Sequence, residues 1–294
     1  MKLLASALAI FMAVVLWVPR GIAAQIETFG YVAASVGAER ETGLPQGYHV
    51  GRAGARGSIE ALGMLPFALQ NLGLQGRAQY TGGQGSKFGL DVGPVYGWVG
   101  GKAGVFVNYQ ARTLRDSNYL WLTPAVALYY PQMNVNVSYT QPVSSPQQEV
   151  CADDKCTHFR KEDAKRLMVP TNRLQGTVSY FPTIDLGALN VLTGNKKNNL
   201  ELTVGLQVNT FGGPYRHKVR SAGVGPVLGM SVMPLENVEV NVFKLTVDNR
   251  SRYSYESGVR VFFGKDKTSL LDWRRKYLDA GPKPVGSFTA PHSD

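Results

Sequence analysis

The segment Asn198–Phe211, NNLELTVGLQVNTF, alternates without a break: Leu200, Leu202, Val204, Leu206 and Val208 fall on one side of an extended chain, and Asn199, Glu201, Thr203, Gly205, Gln207 and Asn209 on the other. Such a strand has one oily and one wet face. Similar segments recur at close spacing, bounded by turn residues, and twelve strands are expected: roughly 27–38, 50–62, 67–81, 88–99, 101–114, 118–130, 132–144, 171–181, 198–211, 220–233, 236–249 and 252–263. Within them Met133, Val135, Val137 and Tyr139 oppose Asn134, Asn136, Ser138 and Thr140, and Leu90, Val92, Tyr96 and Trp98 oppose Asp91, Gly93 and Gly97. A two-faced ribbon suits a barrel with its oily face turned either inward, in water, or outward, in lipid. The period does not choose between them.

Other features favour lipid. About ten residues at ~3.3 Å each, tilted by ~40°, rise about 25 Å, the height of the apolar band of a membrane barrel. An even strand count brings both chain ends to one side. On that side the expected turns are Gly63–Pro66, Gly100–Gly101, Pro131 and Pro234–Glu236, with a longer connection over 182–197. Opposite lie 41–49, 82–87, 115–117, 145–170, 212–219 and 249–251. The stretch 183–197 reads as a small helix or as a further strand that would break the parity. Aromatic residues collect near both ends of the strands, as headgroup contacts require: Tyr80, Tyr139, Tyr253 and Tyr255 at one, and Trp98, Tyr129, Tyr130, Tyr180, Phe181, Phe262 and Phe263 at the other. In VEVNVFKLTV the apolar phase changes between Val242 and Phe243, which a one-residue bulge would repair. VGPVYG at Val92 and VGPVLG at Val224 hint at a duplicated half-barrel.

The first 24 residues have a basic start at Lys2, an apolar run from Leu3 to Val18, and small residues at Gly21, Ala23 and Ala24, the layout of a cleaved secretory leader. Nothing after it is apolar enough for a spanning helix, so a membrane would have to be crossed by strands. Without Lys2 and Arg20 the formal charge falls by two, from +10 to +8. For an exported chain this points to anionic lipid or solutes and not to nucleic acid. The two cysteines, Cys151 and Cys156, are expected to staple a loop as a disulfide.

The last strand ends Glu256-Ser257-Gly258-Val259-Arg260-Val261-Phe262-Phe263. Glu256, Gly258, Val261 and Phe263 occupy the defining places of the insertion signal of bacterial outer-membrane β-barrel proteins, a porin-like class that this strand resembles. The resemblance implies an outer-membrane address, reading by the barrel assembly machinery, and a closed antiparallel transmembrane barrel with lipid around it. Thirty residues follow Gly264, where such barrels usually stop. In them Leu270, Trp273 and Tyr277 stand at helical spacing, opened by Ser269 with Asp272 three residues on and closed by Gly281-Pro282. The expected organisation is therefore a leader over 1–24, a barrel over 25–264 and a periplasmic tail over 265–294 with a short amphipathic helix that lies on the membrane, folds under the pore or meets a periplasmic partner.

With lipid outside, the wet faces line a lumen. Arg52, Arg56, Arg77, Lys102, Arg112, Arg173 and Arg260 are set against Glu60, Asp91, Glu201 and Glu256, a net basic interior that would favour small anionic solutes. The alternative is that these charges pair, Arg56 with Glu60 for example, and brace a closed barrel with a structural or docking role. Catalysis has little support, because His49, His158, His217 and His292 all fall in loops or the tail, with no Ser or acid at a defensible spacing. No cofactor or metal site is expected.

Overall fold

The computed structural model describes residues 26–40, 54–67, 69, 71–82, 87–112, 117–143, 148–151, 165–169, 171–183, 191, 197–211, 223–249, 252–264, 269–279 and 287–288. Twelve antiparallel strands close into one barrel: β1 (Phe29–Arg40), β2 (Gly54–Pro66), β3 (Leu72–Gly82), β4 (Lys87–Trp98), β5 (Gly101–Arg112), β6 (Ser117–Tyr130), β7 (Met133–Pro142), β10 (Thr171–Tyr180), β11 (Leu200–Phe211), β12 (Gly223–Leu235), β13 (Val238–Asn249) and β14 (Arg252–Phe263). Neighbours follow chain order, and β14 closes on β1 over a register running from Gly30 opposite Phe263 to Arg40 opposite Tyr253. Outside the wall, β8 (Gln148–Cys151), β9 (Lys165–Val169) and β15 (Ser287–Phe288) form a small sheet. Each of the twelve expected strands is present, and among the described residues no thirteenth enters the wall.

Both ends of the wall segment lie at one end of the barrel, called here the terminal end, together with the connections 67–71, 99–100, 131–132, 181–199 and 236–237. The other, the loop end, carries 41–53, 83–86, 113–116, 143–170, 212–222 and 250–251. The oily face is outside. On β11, Val204 is 57 % and Leu206 61 % exposed, while Glu201, Gln207 and Asn209 are buried. The same holds on β4, where Phe88, Leu90 and Val92 point out and Asp91, Gly93 and Val95 point in. A ring of Val, Leu, Phe and Tyr side chains left exposed around a closed wall is the surface of a transmembrane barrel. Among the described residues no helix is long and apolar enough to cross a membrane.

Three local expectations change. Gly63–Pro66 is not a turn: β2 continues through it with Met64 buried inside and Leu65 exposed, and the chain reverses over 67–71, where Phe67 N–H donates to the Leu72 carbonyl. Glycine and proline look like a turn in sequence, but Pro66 stands at the strand's last position, where its missing N–H breaks little. The bulge is where the change of phase puts it. Met230 pairs with Phe243 and Ser231 with Asn241, so Val242 is the extra residue and both Asn241 and Lys244 reach the interior. The aromatic group at the terminal end divides in two. Tyr130, Tyr180 and Phe263 are exposed to the outside, but Phe181 and Phe262 are buried within, and the Tyr129 hydroxyl reaches an interior carbonyl at Arg275. Adjacent strand residues face opposite ways, so only one member of each pair can serve the headgroups.

Candidate functional site: the barrel interior

The interior is not empty at the terminal end. Residues Leu270–Lys276 form a helix, α1, whose N-cap Ser269 and Asp272 make the reciprocal capping box that their spacing suggests. The helix sits inside the mouth of the barrel. Leu270, Trp273 and Leu278 are fully buried against Ile26, Phe29, Met64, Val95, Phe106, Phe181, Met233 and Phe262, which together form the hydrophobic core of the molecule. Trp273 stacks on Phe262 with ring centroids 4.9 Å apart, and Tyr277 stacks on Phe29 at 5.7 Å. The socket draws on strands all round the wall.

Polar contacts fix the depth. Gln75 on β3 donates from Nε2 to the Leu278 carbonyl and accepts from the Leu278 N–H, both at 2.8 Å, as a neighbouring strand would. Lys102 on β5 donates to the Lys276 carbonyl at 2.6 Å. Asn198 takes a left-handed conformation, φ 62°, that few residues but Asn and Gly tolerate. Beside it, Asn199 turns inward, and its Oδ1 accepts the Leu270 N–H at 2.9 Å. The helix ends at Lys276 and not at Gly281-Pro282, because Tyr277 is extended and its hydroxyl is drawn inward to accept from Arg274 at 2.7 Å.

Arg274 is the electrostatic pivot. It reaches Glu201 at 2.6 Å and Glu239 at 2.5 Å. Burial alone would lower its pKa, but these two carboxylates raise it well above the ordinary arginine value, so it stays charged. The Tyr277 hydroxyl has its pKa raised, chiefly by burial, against the opposing pull of Arg274 and Arg260.

The charged interior residues expected from sequence are distributed as pairs. Arg56 bridges Glu256 at 2.6 Å and Glu39 at 3.3 Å, and Glu39 also holds Lys87 at 2.9 Å. The expected Arg56–Glu60 pair does not form. Four residues along one strand separate those side chains by about 13 Å, whereas Gly37 of β1 stands opposite both Arg56 and Glu256. Glu60 instead accepts from the Tyr31 hydroxyl at 2.5 Å. Arg77 binds Asp91 at 2.6 Å and approaches Asp279 of the tail at 3.8 Å. Asp91 also accepts from Asn108 at 2.8 Å, and Asn108 accepts from Thr123, giving a polar ladder across four strands to the tail. Arg260 binds Glu239 at 2.9 Å, and Arg173 donates to Asn209 at 2.8 Å. Arg112 closes β5. Arg52 and all four histidines lie outside the described residues, as do the leader, most of 183–197 and Cys156, so the structure adds nothing to the expected Cys151–Cys156 link.

Sequence reading missed Glu39, Lys87, Glu239, Lys244, Arg274 and Asp279. Lys244 was marked only by the phase change in its strand, and the two tail residues carried no sign that they enter the barrel. Within the interior, two adjoining polar cavities of about 110 and 90 Å³ share Glu239, Lys244, Glu256, Arg260, Tyr277 and Asp279 in their lining.

No protein-family model matches the chain, and no curated protein matches it. Solved structures do. An outer membrane channel from Pseudomonas putida F1 (COG4313) is similar at TM-score 0.52 and 12 % identity, over 83 % of this chain and 99 % of that one. A chain from work on the in-meso crystallization of membrane proteins is similar at TM-score 0.54 and 10 % identity, over 88 % and 100 %. The NanC porin gives TM-score 0.49 at 10 % identity, over 78 % and 98 %. At such identities the likeness is one of fold: the chain has the twelve-stranded transmembrane architecture of bacterial outer-membrane barrels.

Proposed function

We propose that this protein is a porin-like channel of the bacterial outer membrane, passing small solutes with a preference for anions, and that its terminal end faces the periplasm. Short connections at the end that holds both ends of the wall match the periplasmic side of such barrels. The observation that carries the solute reading is Lys244. The bulge at Val242 turns its ammonium inward and it lines both cavities; it stands opposite Glu256, but Arg56 holds that carboxylate at 2.6 Å, and no salt bridge to Lys244 forms among the described residues. Beside it the buried Nε of Arg260 also lacks a hydrogen-bond acceptor. Most other interior cations are matched by carboxylates, so the preference is modest and local, unlike the ring of guanidinium groups that the sequence suggests.

Purified protein in a planar bilayer under a salt gradient is expected to give stepwise currents with an anion-selective reversal potential. Lys244→Glu should move that potential toward cation selectivity while leaving the barrel folded. An unchanged potential would remove Lys244 from the solute path. A second reading, a closed barrel with a structural or docking role, is favoured by the helix in the mouth. Absence of current under every condition, including release of that helix, would establish it.

A further inference from the structure

We propose that the tail segment Ser269–Asp279 is a displaceable plug of the barrel's terminal end, and that solutes pass only when it is released; the inference rests on the channel reading above. Tyr277 and Asp279 line both cavities, so the tail borders the polar space next to Lys244. Anchoring at the terminal end is by α1, Gln75 and Lys102, as described.

Release is physically open to this plug for three reasons. The wall closes by its own β1–β14 ladder, so withdrawing α1 breaks no wall hydrogen bond. The groups that hold the tail, Gln75, Lys102, Glu201 and Glu239, face a lumen that water would fill, so none is left charged or polar in a dry space. The helix itself is only seven residues long, and its backbone bonds to the surround, from Leu270 N–H to Asn199, from Leu271 N–H to the Asn198 carbonyl and from Lys102 to the Lys276 carbonyl, are separate contacts and not a continuous ladder.

The test uses the full-length protein with Cys151 and Cys156 changed to Ser. Glu27, just before β1, and Lys276 at the end of α1 form an exposed ion pair at 3.2 Å. Glu27→Cys with Lys276→Cys, bridged by a short reducible bis-thiosulfonate, ties the helix to the wall at the edge of its socket, where the Lys276 ammonium lies 4.7 Å over the Trp273 ring, and the reduced double variant serves as its own control. Bridged protein is expected to lose at least tenfold in bilayer current, and reductant to restore it. Arg274→Ala, with the latch weakened, should be open for a larger fraction of the time. Equal current before and after reduction would overturn the plug while leaving the channel standing. Silence from the wild type, the reduced pair and Arg274→Ala alike would overturn the channel reading, and the plug with it.

Discussion

Single side chains inside this barrel act through their partners, and their substitution should be read in that light. Arg274 neutralises Glu201 and shares Glu239 with Arg260. Arg274→Ala leaves Glu201 without that partner, and removing one member of a buried pair typically costs about 3–5 kcal/mol. Water entering the lumen will reduce this, so a loss of about 1.5–3 kcal/mol in docking is expected, or roughly a ten- to hundredfold rise in the undocked population. Hydrogen exchange at the amides of Leu271, Trp273 and Leu278 should quicken by that factor while the exchange of wall strands stays put. Gly258 is a different case. A Cβ there would come within 2.3 Å of the Ala34 carbonyl oxygen and 2.8 Å of the Ser35 Cα. Gly258→Ala must therefore push β14 from β1 at the closing seam. A loss of the compact, heat-modifiable band on unboiled gels is expected, and normal migration would refute the steric argument.

Among elements, the strands were legible and the helix's place was not. Alternation is a local property: a residue's parity fixes its face, so β11 or β4 could be drawn from a dozen letters, and the change of phase at Val242 located a bulge. The same parity, applied to the pairs Tyr129-Tyr130, Tyr180-Phe181 and Phe262-Phe263, would have sent one ring of each pair inward and asked what it packs on. The answer, α1, depends on strands brought together from all round the wall, and no window of sequence contains it. The capping residues were visible because they lie three apart. Docking of α1 also has a definable pH response. The pKa of Tyr277 is raised on burial above the ordinary value of 10.0, so the neutral hydroxyl's contribution is complete below that pH and is lost as pH rises through the elevated value. Exchange at the tail amides, corrected for intrinsic rates, should increase in strong alkali as the Tyr277 hydroxyl ionises. Tyr277→Phe should abolish that alkaline rise.

Taken whole, the molecule carries its hydrophobic core at one end of a tube whose remaining interior is polar, and its outer surface is the solvent-exposed oil of the strands. What the sequence could not show was how the interior charges are partnered, since Glu39, Glu239 and Asp279 stand beside Arg56, Arg260 and Arg77 only in the closed barrel. The socket for α1 is made by Phe29 at the start of the first strand, Phe262 at the end of the last, and Gln75, Phe181 and Met233 between them. It therefore exists only once the two edges of the sheet have met. Assembly has a fixed order as a result: the wall must be inserted and sealed before its stopper has anywhere to go, and a newborn barrel passes through an unstoppered stage that the mature one revisits only when the latch lets go.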